Sequence, residues 1–172
     1  MKRRVLGLVA FALLAGTVVT SPAVASPDNE GAEPANVVAV EAKVSRATII
    51  ARLQAWVKAN VSYSKTAKYQ GYRKDCSGYV SMAWGLSKPG ATTASLARYA
   101  HRINNSQLAA GDIMLDDNNH VTVFHKWANS AHTRYYMYEE TPSYGAHYDD
   151  IPFPYYSSHP GHYLAYRFNN VA

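Results

Sequence analysis

Residues 73–84 read "RKDCSGYVSMAW" and contain Cys76, the single cysteine of a 172-residue chain. From Cys76 onward, Val80, Ala83 and Trp84 share one side of a helical pattern, and Lys88-Pro89-Gly90 is expected to end it. Cys76 then falls in a first helical turn, where backbone N–H groups have no intrahelical partner and the helix dipole favours an anion. A free cysteine has a pKa of about 8.5, and helix N-termini or a nearby imidazolium lower it to roughly 3.5–7.5. The same N–H groups suit the oxyanion of a tetrahedral intermediate. Two readings compete: a small buried filler of the core, or a nucleophile. The polar flanks Asp75 and Ser77 favour the nucleophile, and Gly78 is expected to leave room for a substrate backbone.

On the N-terminal side, "SRATIIARLQAWVKANV" (45–61) places Ile49, Ile50, Leu53, Trp56 and Val57 on one stripe, with Ser45 as N-cap. This predicts an amphipathic helix that packs the core. "VSYSKTAKYQGYRKD" (61–75) has no clear period and reads as a loop. On the C-terminal side, "TTASLARYAHRI" (92–103) predicts a shorter helix capped by Thr92 or Thr93. After Gly111 the period changes. "DIML", "HVTVFHKWA", "TRYYMYEET", "AHYDDI" and "YLAYRF" are short β-branched and aromatic runs separated by Asp, Asn, Ser, Pro and Gly. Helices first and strands after predict an α+β domain, with N-terminal helices packed on a central antiparallel sheet. Nine of the 14 tyrosines lie beyond residue 130, which fits half-buried strand positions better than a sugar-stacking surface.

Met1-Lys2-Arg3-Arg4, an uncharged run from Val5 to Val19, and Ala23-Val24-Ala25 together have the form of a secretory signal peptide cleaved after Ala25. The apolar run is shorter than the ~20 residues a membrane span needs. Sec-type export is expected, because nothing beyond the paired arginines fits a twin-arginine signal. Residues 26–44 read as a flexible leader and 45–172 as one domain. Removing residues 1–25 takes three of 17 basic residues and none of 12 acidic ones, so the net charge falls from +5 to 14 − 12 = +2. No like-charge block remains to favour nucleic acid or a membrane surface. Exported proteins ordinarily pair their cysteines. A lone one is buried and inert, joins another chain, or does chemistry.

A nucleophile of this kind needs a base, and the base needs an orienting group. His120 opens the strand "HVTVFHKW" directly after the turn "DDNN". His125 lies five residues on, facing the opposite side of a regular strand, which also argues against a shared metal. His101, His132, His147, His159 and His162 read as surface or structural histidines. The following strand ends in Glu139-Glu140; alternation puts one of them on the face of the base without saying which.

"DCSGYVSMAW", "LAAGDIML", "HVTVFHKW" and "YMYEET", in this order, resemble the NlpC-type papain-like cysteine peptidases, which cut bacterial cell-wall peptides. The resemblance runs from about Arg46 to Phe168. It implies a papain-like fold with Cys76 as nucleophile at a helix N-terminus and His120 as general base. The third polar position falls on Glu139, with Glu140 as the alternative. The resemblance further implies that Asp75 and Ser77 help receive the free amino end of a stem peptide. It implies that Tyr63 shapes the oxyanion site and that Gly111-Asp112 forms a structural turn. The chain departs from the family in having Ser64-Lys65 after Tyr63, where a Gly pair is usual, and an acidic third residue where His is frequent.

These readings together predict a secreted, monomeric cysteine hydrolase that cleaves an amide bond in peptidoglycan, without metal or cofactor. Variants of this reading are an amidase at the sugar–peptide junction and an effector attacking another cell's wall. A non-catalytic wall- or carbohydrate-binding module on the same fold, or a purely structural cysteine, are the competing classes.

Overall fold

The computed structural model describes residues 43–155 and 162–172. The expected signal peptide, His159, and the leader up to residue 42 lie outside the described residues. Three α-helices, the third a single turn, a hairpin and a six-stranded antiparallel sheet make an α+β domain among the described residues. Among the described residues, no helix is long and apolar enough to cross a membrane.

Helix α1 (Arg46–Lys58) forms where the apolar stripe predicts it. Ser45 Oγ accepts from Thr48 N, and Ile49, Leu53 and Trp56 are buried. Val44, the last leader residue, is already fixed by a bridge to Val171. Residues 61–75 are not the expected loop. They contain strands β1 (Ser64–Tyr69) and β2 (Tyr72–Lys74), a two-stranded antiparallel hairpin turning at Gln70-Gly71. Four of the six β1 residues are exposed, so no buried-face alternation marks it in the sequence.

Helix α2 (Cys76–Trp84) starts at Cys76 as predicted, and all nine of its residues are buried. Its stop is earlier than Lys88-Pro89-Gly90: Gly85 takes the left-handed conformation (φ 76°), and its N–H closes the last turn. The 92–103 helix is a single turn, α3 (Thr93–Leu96), capped by Thr92 and continued by a 3₁₀ turn at Ala97–Tyr99. Ala100–Arg102 then becomes strand β3, because it pairs with the last strand of the chain.

The large sheet contains β3, β4 (Ile113–Asp116), β5 (His120–Trp127), β6 (Arg134–Thr141), β7 (Gly145–Pro152) and β8 (Leu164–Phe168), in the order β3-β8-β4-β5-β6-β7. Strand alternation divides its side chains between two cores. Ile113, Leu115, Val121, Val123 and Tyr138 pack with α1 and α2. Met114, Phe124, Tyr135, Met137 and Ala165 form the core of the other face. Asp112, following Gly111, is buried and accepts hydrogen bonds from Arg46 Nη1 (2.9 Å), Arg167 Nη2 (2.7 Å) and Ala109 N (2.9 Å). The turn thus ties α1, β4 and β8 together, a structural role.

Candidate active site

The N-terminus of α2 is built by its own polar flank. Asp75 Oδ1 accepts from Gly78 N at 2.7 Å and from Ser77 Oγ at 2.9 Å. Arg73 Nε donates to Asp75 Oδ2 at 2.8 Å, and Arg73 Nη2 to Ser77 Oγ at 3.1 Å. Arg73 also donates to the carbonyls of Gly90 and Ala91, joining β2 to the segment after α2. Asp75 and Ser77 therefore fix the turn that presents Cys76, and both line a cavity beside it. Gly78 does not hold space for a substrate. A Cβ there would overlap the Arg73 carbonyl oxygen, so the missing side chain lets β2 lie against the helix.

Cys76, 9 % exposed, faces His120 across the cleft, and the imidazole feels it as a hydrogen-bonding and charge partner. His120 Nε2 lies 2.7 Å from Glu139 Oε2. An ionised carboxylate only accepts, so Nε2 carries the hydrogen and Nδ1 is the nitrogen left for the sulfur. Burial opposes charge on His120, yet its bonds to Cys76 and Glu139 prevail and hold the pKa up at about 9. Glu139, also disfavoured by burial as an anion, is held down at about 2 by His120 and His147.

Between Glu139 and Glu140, the structure puts Glu139 on His120. It also adds two partners that the sequence did not reveal. His147 is not a bystander: its Nε2 lies 3.1 Å from Glu139 Oε1, and its Nδ1 donates to the Gly145 carbonyl at 3.0 Å. Burial lowers the proton affinity of His147, but Glu139 and Gly145 outweigh it and raise its pKa. Tyr155 O–H donates to Glu139 Oε2 at 3.0 Å. The readable signal for His147 is the β6–β7 register, which sets Glu139 opposite it. His125, as alternation predicts, lies on the other face, with Nδ1 2.8 Å from Tyr148 Oη.

Two cavities of about 350 Å³ each flank Cys76 and share Tyr63, Lys65, Cys76 and Asn119 as lining. The first adds His120, Glu140, Thr141, Tyr155 and Tyr163; the second adds Arg73, Asp75, Ser77, Thr92 and Thr93. Tyr63 thus reaches the site. Burial, followed by the charges of Cys76, Asp75 and Glu140, raises its pKa. A larger cavity, about 450 Å³, lies by Val44, Trp84, Arg98 and Asn169 and contains neither cysteine nor histidine. Among the described residues no group of three His, Cys, Asp or Glu side chains is arranged to hold a metal.

A buried thiol at a helix N-terminus, an imidazole fixed in one tautomer and a carboxylate behind it can together perform acyl transfer. No family model matches this chain, and no curated protein matches it in sequence.

Proposed function

We propose that this chain is an exported cysteine hydrolase that cleaves an amide bond in bacterial peptidoglycan, a papain-like enzyme of the NlpC type. One observation carries the chemistry: His120 stands between Cys76 and Glu139, with Nε2 bound at 2.7 Å and Nδ1 left for the sulfur. The α+β order, helices packed on one face of an antiparallel sheet, is compatible with that fold. The choice of peptidoglycan rests on the resemblance of "DCSGYVSMAW" and the three later motifs, and export on residues 1–25.

In this reading the Cys76 sulfur, with His120 holding its proton, attacks the amide carbonyl carbon. The carbonyl oxygen becomes an oxyanion, facing the first-turn N–H groups of α2 and the Tyr63 hydroxyl. Collapse breaks the C–N bond, and the proton on His120 Nδ1 leaves with the amine. The acyl thioester is then attacked by a water that gives its proton to His120, the C–S bond breaks with return of that proton to the Cys76 sulfur, and the acid departs. Glu139 holds the ring through Nε2–H and balances the imidazolium charge, while His147 and Tyr155 hold Glu139.

The test is digestion of purified peptidoglycan by the protein and by Cys76→Ala, with fragments identified by mass. Cys76-dependent release of peptide fragments supports an endopeptidase, and release of whole stem peptides from the sugar indicates an amidase. Equal release by Cys76→Ala defeats the mechanism. A wall-binding protein that releases nothing, with Cys76 unreactive, favours the binding module.

A further inference from the structure

Among the described residues, four buried side-chain polar atoms have no hydrogen-bond partner: Trp56 Nε1, Glu140 Oε1, Glu140 Oε2 and Thr141 Oγ1. Three of the four belong to consecutive residues at the end of β6, and both residues line the cavity that holds Cys76 and His120. Glu140 is fully buried. A buried polar group left without a partner keeps the full penalty of its lost hydration, so two such residues beside a nucleophile call for a ligand rather than for packing.

We propose that Glu140 and Thr141 determine specificity by docking an uncharged amide group of the substrate next to the bond that Cys76 attacks. The inference rests on the acyl-transfer reading above and adds the chemistry of what is recognised. The surroundings decide which form of Glu140 does this. Asp75, at the cap of α2, disfavours a second negative charge, and the Lys74 ammonium at the end of β2 only partly offsets it. The phenols of Tyr63 and Tyr79 feel the Glu140 charge as well, and Lys65, Cys76 and His120 share its cavity. Burial first, and Asp75 second, hold the carboxyl up at about 8. At neutral pH Glu140 therefore carries a proton and presents an O–H donor beside a C=O acceptor. An amide is the complement: its carbonyl accepts, its N–H donates, and the Thr141 hydroxyl offers one more bond. An ammonium finds its charge partner only after Glu140 has lost its proton to solvent, and a carboxylate would meet Asp75 as a like charge.

Three alkylating probes with one warhead separate these cases: chloroacetyl-glycinamide, chloroacetyl-glycine and N-chloroacetyl-ethylenediamine, ending in a carboxamide, a carboxylate and an ammonium. The second-order rate of Cys76 alkylation is read by mass for each at pH 6.5 and pH 9. At pH 6.5 the carboxamide probe is expected to lead the ammonium probe by about tenfold, the equivalent of one to two hydrogen bonds. Glu140→Gln, which keeps a donor and an acceptor, retains that lead at both pH values. The wild type loses it at pH 9, and Glu140→Leu loses it throughout. If Glu140→Leu does not fold, Thr141→Val supplies the second variant, with a partial loss expected.

Equal rates for all three probes, or a carboxamide lead unchanged in Glu140→Leu and Thr141→Val, would overturn the proposal while leaving the Cys76 chemistry intact. An ammonium preference that grows towards pH 9 and vanishes in Glu140→Gln would overturn it in favour of an anionic Glu140. A folded protein whose Cys76 reacts with none of the probes would defeat the hydrolase reading and this one with it.

Discussion

Glu139 Oε2 and His120 Nε2 lie 2.7 Å apart, and this contact selects the ring nitrogen that faces Cys76. Glu139→Gln keeps the shape and removes the charge. Cys76 alkylation by iodoacetamide near neutral pH should slow, and turnover should fall by about 10²-fold or more, as when an orienting acid is neutralised. An unchanged pH–rate profile would remove Glu139 from the mechanism.

Cys76→Ser should fold as the wild type does and lose activity, because a hydroxyl has no adequate activation beside this base. Matching thermal unfolding curves together with an absence of product would bear this out. Wild-type rates from the serine variant would sink the thiol mechanism.

The same cluster gives stability a defined pH window. Glu139 moves from an ordinary 4.5 down to about 2, so its contribution is complete above 4.5 and is lost as the pH falls towards 2. His120 moves from 6.5 up to about 9, so its contribution is complete below 6.5 and is lost as the pH rises through 9. Glu140, raised from 4.5 to about 8, contributes fully only below 4.5 and loses that contribution from 4.5 up through 8, because the unfolded chain gives up the proton that the buried carboxyl keeps. The melting temperature should therefore peak near pH 4.5, decline from there to 6.5 through Glu140, and fall more steeply towards pH 8 as His120 joins. Glu139→Gln should shallow the acid limb, and Glu140→Gln the alkaline limb. Parallel curves for all three proteins would contradict these assignments.

Asp112 is 1 % exposed and holds two arginines and a backbone N–H. Breaking a fully buried ion pair costs ~3–5 kcal/mol. Here Arg46 and Arg167 remain about a quarter exposed and water can reach them. Asp112→Ala should accordingly lower the urea-unfolding free energy by about 2–3 kcal/mol. A loss under about 0.5 kcal/mol, the range of ordinary surface changes, would show that the turn is not a structural tie.

Gly78→Ala should cost about 2–3 kcal/mol, in the upper part of the usual range for overpacking, because the added methyl meets the backbone of Arg73 rather than a movable side chain. Cys76 reactivity should fall with it, since β2 and the first turn of α2 must separate. Neutral stability for this variant would mean that the hairpin is free to move.

The parts legible in the sequence were those with a buried face. Ile49, Leu53 and Trp56 announce α1, and the strands from Ile113 onward alternate between two cores. The β1–β2 hairpin was not legible, because its exposed residues carry no apolar period; the positive φ values of Gln70 and Gly71 at its turn are its local signature. The end of α2 was misplaced by three residues because Lys88-Pro89-Gly90 is a stronger stop signal than a lone Gly85. Cys76 and His120 stood out by residue type and position. Glu139 could not be told from Glu140 until the strand had neighbours, and His147 became visible only through the register that sets it opposite Glu139.

The sheet also separates the residues of the proposed reaction. Cys76 comes from the helical layer on one face, while His120 and Glu139 share their strand positions with Thr122, Phe124 and Met137 of the other face. The sulfur and the imidazole stand 44 positions apart along the chain, and only docking of α2 on the end of the sheet brings them together. A chain that has not yet folded carries a thiol with no base in reach, so it is chemically quiet. The completed tertiary structure is the switch that arms it.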